Sequence, residues 1–339
     1  MADILKSTDR GLYCEAGDFY IDPWRPVERA IITHAHSDHA RWGMGAYLTA
    51  ERGVNVLRRR VGDEANIRGI PYGMSETING VRVTLYPAGH ILGSSQILVE
   101  HQGERWVVSG DYKTESDSTC DPFEPVLCHV FITECTFGLP IYHWRPDPTV
   151  FAEINAWWIA NEAAGRASLL MGYALGKCQR ALAGINPDIG PICVHGAIQP
   201  FNDTYREAGV KLPPTYRVGD LDRNFDFTRS LILAPPSTEG TTWTRRFGAY
   251  STAFMSGWMS IRGARRRRSV DRGFVLSDHV DWPSLLASIA ATGAERVLAT
   301  HGYTATLVRY LREKGMNADV LGTPWEERDS DEPEDAIEP

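Results

Sequence analysis

The chain has 339 residues, 43% of them hydrophobic and 23% charged, which leaves ample material for a folded core and excludes a disordered or fibrous protein. No apolar run approaches the roughly 18 residues that span a membrane, and the first ten residues lack the apolar segment of a signal peptide, so a cytoplasmic protein is expected. The net charge of −8 is concentrated in residues 326–339, where eight acids accompany one arginine; this tail, 324–339, reads as a disordered acidic segment on a nearly neutral body.

In chain order, the first third is rich in β signals. Residues 19–22, 30–33, 81–86, 96–100, 106–109 and 130–133 are short apolar or alternating runs bounded by Gly, Pro or Asp, and 41–60 can supply a helix. The middle changes character. Helices are expected over 150–164, 176–184 and 202–208, and strands over 168–171, 191–194 and 230–234. That alternation suggests a smaller α/β unit with a mainly parallel sheet, limited to 139–272. Strands over 273–276 and 296–300 and helices over 282–292 and 304–314 follow. The six cysteines show no C-x-x-C pair and read as free thiols.

Three of the ten histidines fall within six residues, at His34, His36 and His39, with Asp38 among them. They follow the apolar run 30–33, so they sit on a loop at a strand end. Alternate residues can point His34 and His36 the same way, while Asp38 and His39 turn toward a second cation. Imidazole with carboxylate suits zinc, and two metals account for the surplus of ligands. One run cannot fill two sites. His90, Asp111 and His301 each stand just after a strand-like run and complete the set.

His34-Ala35-His36-Ser37-Asp38-His39, then Gly89-His90, then Ser109-Gly110-Asp111 together resemble the metallo-β-lactamase superfamily. The resemblance implies an α/β fold, the αββα sandwich with metals at one edge of its two sheets. It implies that His34, His36 and His90 hold one Zn2+, that Asp38, His39 and His301 hold the other, and that Asp111 bridges them. Mn2+ is the alternative metal. Asp22 matches an acidic motif that orients the site from behind the ligands.

Further motifs resemble the β-CASP nucleases of that superfamily. Glu134 in Thr133-Glu134-Cys135-Thr136, His279 in Ser277-Asp278-His279-Val280 and His301 in Thr300-His301-Gly302 match their motifs A, B and C. The resemblance implies a metallo-β-lactamase domain made of 1–138 and 273–323, interrupted by a β-CASP insert over 139–272. Residues 175–179 resemble the first strand-to-helix junction of that insert. The length, residues 10–14 and the run 265–268 resemble the bacterial ligase-associated DNA exonucleases. That subgroup implies a role in DNA repair beside an ATP-dependent DNA ligase or a helicase. A histidine at motif C is commoner among the RNA-cleaving members, so RNA processing is the nearest alternative.

The residues argue for a nuclease on their own account. Phosphodiester hydrolysis needs an activated water, a clamp on the phosphate oxygens and a proton for the leaving alkoxide. Two metals about 3.5–4 Å apart supply the first two, lowering the pKa of water so that a hydroxide attacks. His279 is the candidate general acid, with Glu134 holding it protonated and oriented, while Asp38 and Asp111 belong to the catalytic centre as ligands. Arg262, Arg265, Arg266, Arg267 and Arg268 lie upstream of His279, and Arg245 and Arg246 lie near Trp243. These arginines suit phosphate, the indole suits a base, and Ser277 is a candidate donor to a phosphate oxygen. Residues 58–60 read as the outer face of a helix, and the ten tryptophans mostly as core. Nucleic acid, DNA before RNA, is the expected partner. A small-molecule hydrolase of the same fold lacks the insert, Glu134 and His279, and a non-catalytic binding subunit loses metal ligands.

Overall fold

The computed structural model describes residues 3–267 and 270–322. Arg268 and the acidic tail therefore lie outside the described residues, as do the side chains of Arg265 and Arg267. Two compact units emerge among the described residues. One joins the chain up to 143 with the chain from 279 onward, and the other is 144–278.

The first unit begins with a six-stranded sheet whose strands lie in chain order: β1 (Leu5–Ser7), β2 (Leu12–Cys14), β3 (Phe19–Ile21), β4 (Arg29–Ile31), β5 (Ala46–Ala50) and β6 (Ile67–Ile70). The chain continues through β7 (Ser75–Ile78), β8 (Val81–Pro87), β9 (Ser95–His101), β10 (Glu104–Val108) and β11 (Val130–Cys135) into a second sheet. Side chains of the central strands β10 and β11 alternate between two buried faces. Trp106, Val108, Val130 and Ile132 join Ile21, Ile31 and Leu48 in a core shared by both sheets. Val107 and Phe131 point to the opposite face. The predicted helix over 41–60 is only half present. α1 (Val54–Val61) is preceded by the strand β5, whose last four residues are buried. A short strand buried on both faces carries no alternation that separates it from a helix.

The second unit holds a six-stranded sheet in which every pairing is parallel. Its elements are α2 (Asp147–Ala163), β12 (Ala167–Met171), α3 (Lys177–Gly184), β13 (Ile192–Val194), α4 (Gln199–Glu207), β14 (Tyr216–Arg217), β15 (Leu231–Ala234), β16 (Tyr250–Met255), α5 (Arg262–Arg267) and β17 (Arg272–Phe274). The apolar central strands are covered on one face by Val150, Ile154, Trp157 and Trp158 of α2 and by Cys178, Ala181 and Leu182 of α3. β12 and β15 are fully buried, as expected of strands in a sheet with both faces covered.

The chain then returns to the first unit with α6 (Trp282–Ala291), β18 (Arg296–Gly302), α7 (Thr304–Glu313) and β19 (Asn317–Val320). The second sheet is thereby completed in the order β19-β18-β11-β10-β9-β8-β7. α6 and α7 cover its outer face through Leu285, Ile289, Leu307 and Leu311, which pack with Phe131 and Val297. Phe131 is fully buried there. Phe131→Ala is expected to cost about 3–5 kcal/mol in chemical denaturation, because the cavity adds to the lost transfer energy. A cost below about 1 kcal/mol contradicts this packing. No helix among the described residues is long and apolar enough to cross a membrane.

Candidate metal centre

β10, β11 and β18 are parallel neighbours, and β8 runs the same way because two antiparallel pairings separate it from β10. Their carboxyl ends therefore share one edge of the second sheet, the edge from which ligands are usually held. His90 follows β8, Asp111 follows β10, Glu134 lies in the last turns of β11 and His301 in those of β18. His34 follows β4 of the first sheet. Two glycines make the loops fit. Gly89 and Gly110 both have left-handed backbones, and a Cβ would lie 2.1 Å from the Lys113 carbonyl oxygen or 2.6 Å from Thr33 Cβ. At His301 the β11–β18 register slips between Glu134 and Cys135, and His301 itself has φ 55°. This bulge re-aims its ring at the cost of backbone strain.

The ligand-type side chains fall into two groups whose candidate atoms lie within 4.8 Å of one another: His34, His36, His90 and Asp111, and Asp38, His39 and His301. Asp111 Oδ2 touches both, at 3.3 Å from His34 Nε2, 3.7 Å from His90 Nε2 and 3.5 Å from His39 Nε2. His36 Nδ1 and His90 Nε2 are 3.0 Å apart, and His39 Nε2 is 3.5 Å from Asp38 Oδ2. Ligands about 2.0–2.1 Å from a tetrahedral ion are themselves roughly 3.3 Å apart, so these spacings fit cations between the side chains.

The buried nitrogens agree. His34 Nε2 and His39 Nε2 are fully enclosed and make no hydrogen bond. Asp22 accounts for the other nitrogen of His39, its Oδ2 lying 2.8 Å from Nδ1. Thr33 Oγ1 donates to the same carboxylate and lies 3.1 Å from His34 Nδ1. Both rings are thus held from behind with Nε2 turned toward Asp111.

Electrostatics point the same way. Burial pushes the Asp111 carboxyl well above its ordinary range, with Glu134 and Asp38 adding to it against the pull of His39 and His279. Burial also lowers His34 strongly, helped by His39, His90 and His36, and lowers His301 to about 4. Burial opposes charging His39, but Asp111, Asp38 and Asp22 outweigh it and raise the imidazolium well above normal. Burial disfavours the Asp38 carboxylate, but His39, His36 and His301 outweigh it and hold its pKa well below normal. A few protons cannot satisfy all these buried groups. Divalent cations can, because they bind neutral imidazole and ionised carboxylate together.

Beside this centre, His279 Nδ1 lies 2.9 Å from Glu134 Oε1. Glu134 also accepts from the backbone amides of Tyr112 (3.2 Å) and Thr136 (3.1 Å). Burial disfavours the charged carboxylate, but His279 and these donors outweigh it and lower its pKa. An ionised Glu134 makes Nδ1 the donor and leaves Nε2 as the other functional atom of His279. Asp111, Glu134 and His279 themselves lie within the same 4.8 Å limit. His279 stands two residues before Asp281, whose side chain caps α6 by accepting from the Ser284 amide, which fixes the start of the helix.

The remaining predicted residues lie in the second unit. Ser277 is 4% exposed, and its carbonyl accepts from the Arg180 guanidinium, which also pairs with Asp147. The expected hydroxyl donor is therefore enclosed, and sequence reasoning missed Arg180, which lies mid-helix in no motif. Arg246 donates to the carbonyls of Val218, Leu221 and Asp222. Its guanidinium thereby fastens a turn. Trp243 is half-buried, edge-on to His195 and Phe247. Arg245, Arg262 and Arg266 are exposed.

No family model matches the chain. Among curated proteins it is 32% identical over 316 residues to a probable DNA ligase of Opitutus terrae, covering 92% of this chain and 30% of that protein. It is 34% identical over 119 residues to endoribonuclease ysh-1 of Neurospora crassa, covering 34% of this chain and 14% of that one. It is 28% identical over 245 residues to cleavage and polyadenylation specificity factor 73 of Drosophila melanogaster, covering 61% and 35%. The chain thus spans about a third or less of these relatives. A solved protein of unknown function from Enterococcus faecalis V583 shares the fold, with a TM-score of 0.56 at 12% identity over 87% of this chain and 79% of that one.

Proposed function

We propose that the chain belongs to the β-CASP nuclease group of the metallo-β-lactamase superfamily and is a zinc-dependent phosphodiesterase acting on nucleic acid, specifically a DNA exonuclease. In this reading the two-sheet unit, up to 143 and from 279, is the metallo-β-lactamase sandwich expected over 1–138 and 273–323, and the unit 144–278 is the β-CASP insert expected over 139–272. The observation that carries it is the Glu134–His279 pair beside Asp111. A metal pair alone serves many hydrolases, whereas a separate buried acid suits a poor leaving group such as an alkoxide.

When bound, the metals supply an activated water and a clamp on the phosphate oxygens. His34, His36 and His90 would hold one, Asp38, His39 and His301 the other, with Asp111 shared. Asp22 and Thr33 fix His39 and His34 so that each presents Nε2. Glu134 keeps Nδ1 of His279 as a donor and favours the imidazolium. His279 Nε2–H then protonates the departing oxygen, which makes it a good leaving group.

DNA is favoured because the probable DNA ligase matches nearly the whole chain, whereas endoribonuclease ysh-1 matches about a third of it. RNA is the second reading, supported by the names of the endoribonuclease relatives. Matched single-stranded DNA and RNA, each labelled at one end, separate the two and report polarity. Metal-dependent loss of terminal nucleotides, faster on DNA, is expected. Faster cleavage of RNA overturns the DNA assignment.

A further inference from the structure

Trp42 departs from the expectation that the tryptophans are core. Its side chain is 79% exposed, whereas Trp106, Trp157, Trp158 and Trp282 are buried. Among the described residues nothing stacks on its ring or bonds its indole N–H. An exposed aromatic on a floppy loop has little meaning. This one is held. The phenol of Tyr47, itself 2% exposed, donates to the Arg41 carbonyl (2.8 Å) and accepts from the Met44 amide (3.1 Å). One buried hydroxyl thus clamps the backbone on both sides of Trp42. The loop is also tied at its start, where the Ala40 and His39 amides donate to the His36 carbonyl.

Trp42 is three residues beyond His39, so their Cα atoms are at most about 11 Å apart. Trp42 therefore belongs to the same short loop as the ligand run, close enough in chain for a nucleotide neighbouring the cleaved phosphodiester to be its partner. One arginine lies in the loop and another, from α1, braces the metal-ligand run. Arg41 precedes Trp42, and Arg60 Nε donates to the Ala35 carbonyl at 3.1 Å, between His34 and His36. The predicted outer helix face 58–60 thereby turns one guanidinium onto the metal loop. An aromatic face beside arginines is how single strands are held without sequence preference.

We propose that Trp42 is a stacking platform for a base of a single-stranded nucleic acid, next to the phosphodiester being cleaved. This rests on the nuclease reading above. A base stacked on an aromatic ring is worth about tenfold or more in binding. Trp42→Ala is therefore expected to raise KM for a single-stranded oligonucleotide about tenfold, with a much smaller change in kcat. Trp42→Phe should recover most of the loss. An abasic site walked along the oligonucleotide gives a second handle. At one position it should weaken wild-type binding as much as Trp42→Ala does, and the two losses should not add. Unchanged KM in Trp42→Ala, or additive losses at every abasic position, overturns the platform while leaving the nuclease reading intact. A wild-type protein that cleaves no nucleic acid overturns both.

Discussion

Asp111→Asn is expected to lower nuclease turnover by more than about 100-fold, since even a residue supporting a ligand from behind costs 10–100-fold. The reason is its position. One oxygen, Oδ2, lies 3.3–3.7 Å from nitrogens of His34, His39 and His90, in both ligand groups. An amide has nearly the same shape but no charge to offset two divalent ions. Metal content by mass spectrometry should fall with activity. Stability should move in a telling direction. Without metal, the buried wild-type carboxyl is held in an unfavourable place, as its raised pKa shows. Metal-free Asp111→Asn should therefore melt no lower than metal-free wild type. Added zinc should raise the melting temperature of wild type far more, because ligand binding to the folded state alone stabilises it by mass action. A variant that keeps full metal content and activity within about threefold of wild type contradicts the shared-ligand assignment.

What could be read from the residues in advance follows a simple physical division. The ligand run His34 to His39 was legible because its chemistry is local: four ligand-type side chains in six residues have few other uses. His90 and Asp111 could be picked out because each stands just after a strand-like run; the structure adds that the glycine before each allows a close backbone approach. Apart from Asp22, the supports were not legible. Thr33 reads as an ordinary strand residue, and only the fold brings Asp22 and His34 to its hydroxyl. Tyr47 falls in the run 41–60 expected to supply a helix, yet it lies in β5 and its hydroxyl sets the conformation of the loop before it. Arg246 shows the opposite difficulty. Arg246 has the composition of a phosphate contact but satisfies three carbonyls of its own unit. A guanidinium looks the same in sequence whether it faces solvent, phosphate or backbone, so arginine placement alone identifies no ligand.

His279→Ala should lower kcat on oligonucleotides by about 10²–10⁴-fold, the usual worth of general acid catalysis, while metal content stays at the wild-type level. The preserved metal content matters because His279 Nδ1 is already engaged by Glu134 at 2.9 Å, so its loss need not disturb the seven candidate ligands. Glu134→Gln should give a smaller loss of the same kind. The amide keeps an oxygen for only one of the Tyr112 and Thr136 N–H donors and sets its own NH2 against the other, and it no longer favours the imidazolium, so folding should be checked beside activity. The leaving group separates acid catalysis from mere crowding of the site. An alkoxide needs a proton as the bond breaks, whereas p-nitrophenolate is stable without one. His279→Ala should therefore be far less impaired on a p-nitrophenyl phosphodiester than on an oligonucleotide. Equal loss on both substrates means that His279 positions the phosphate or a metal ligand and does not deliver the proton. Equal activity of variant and wild type on oligonucleotides removes His279 from the mechanism, and with it the feature that sets this site apart from a bare metal pair.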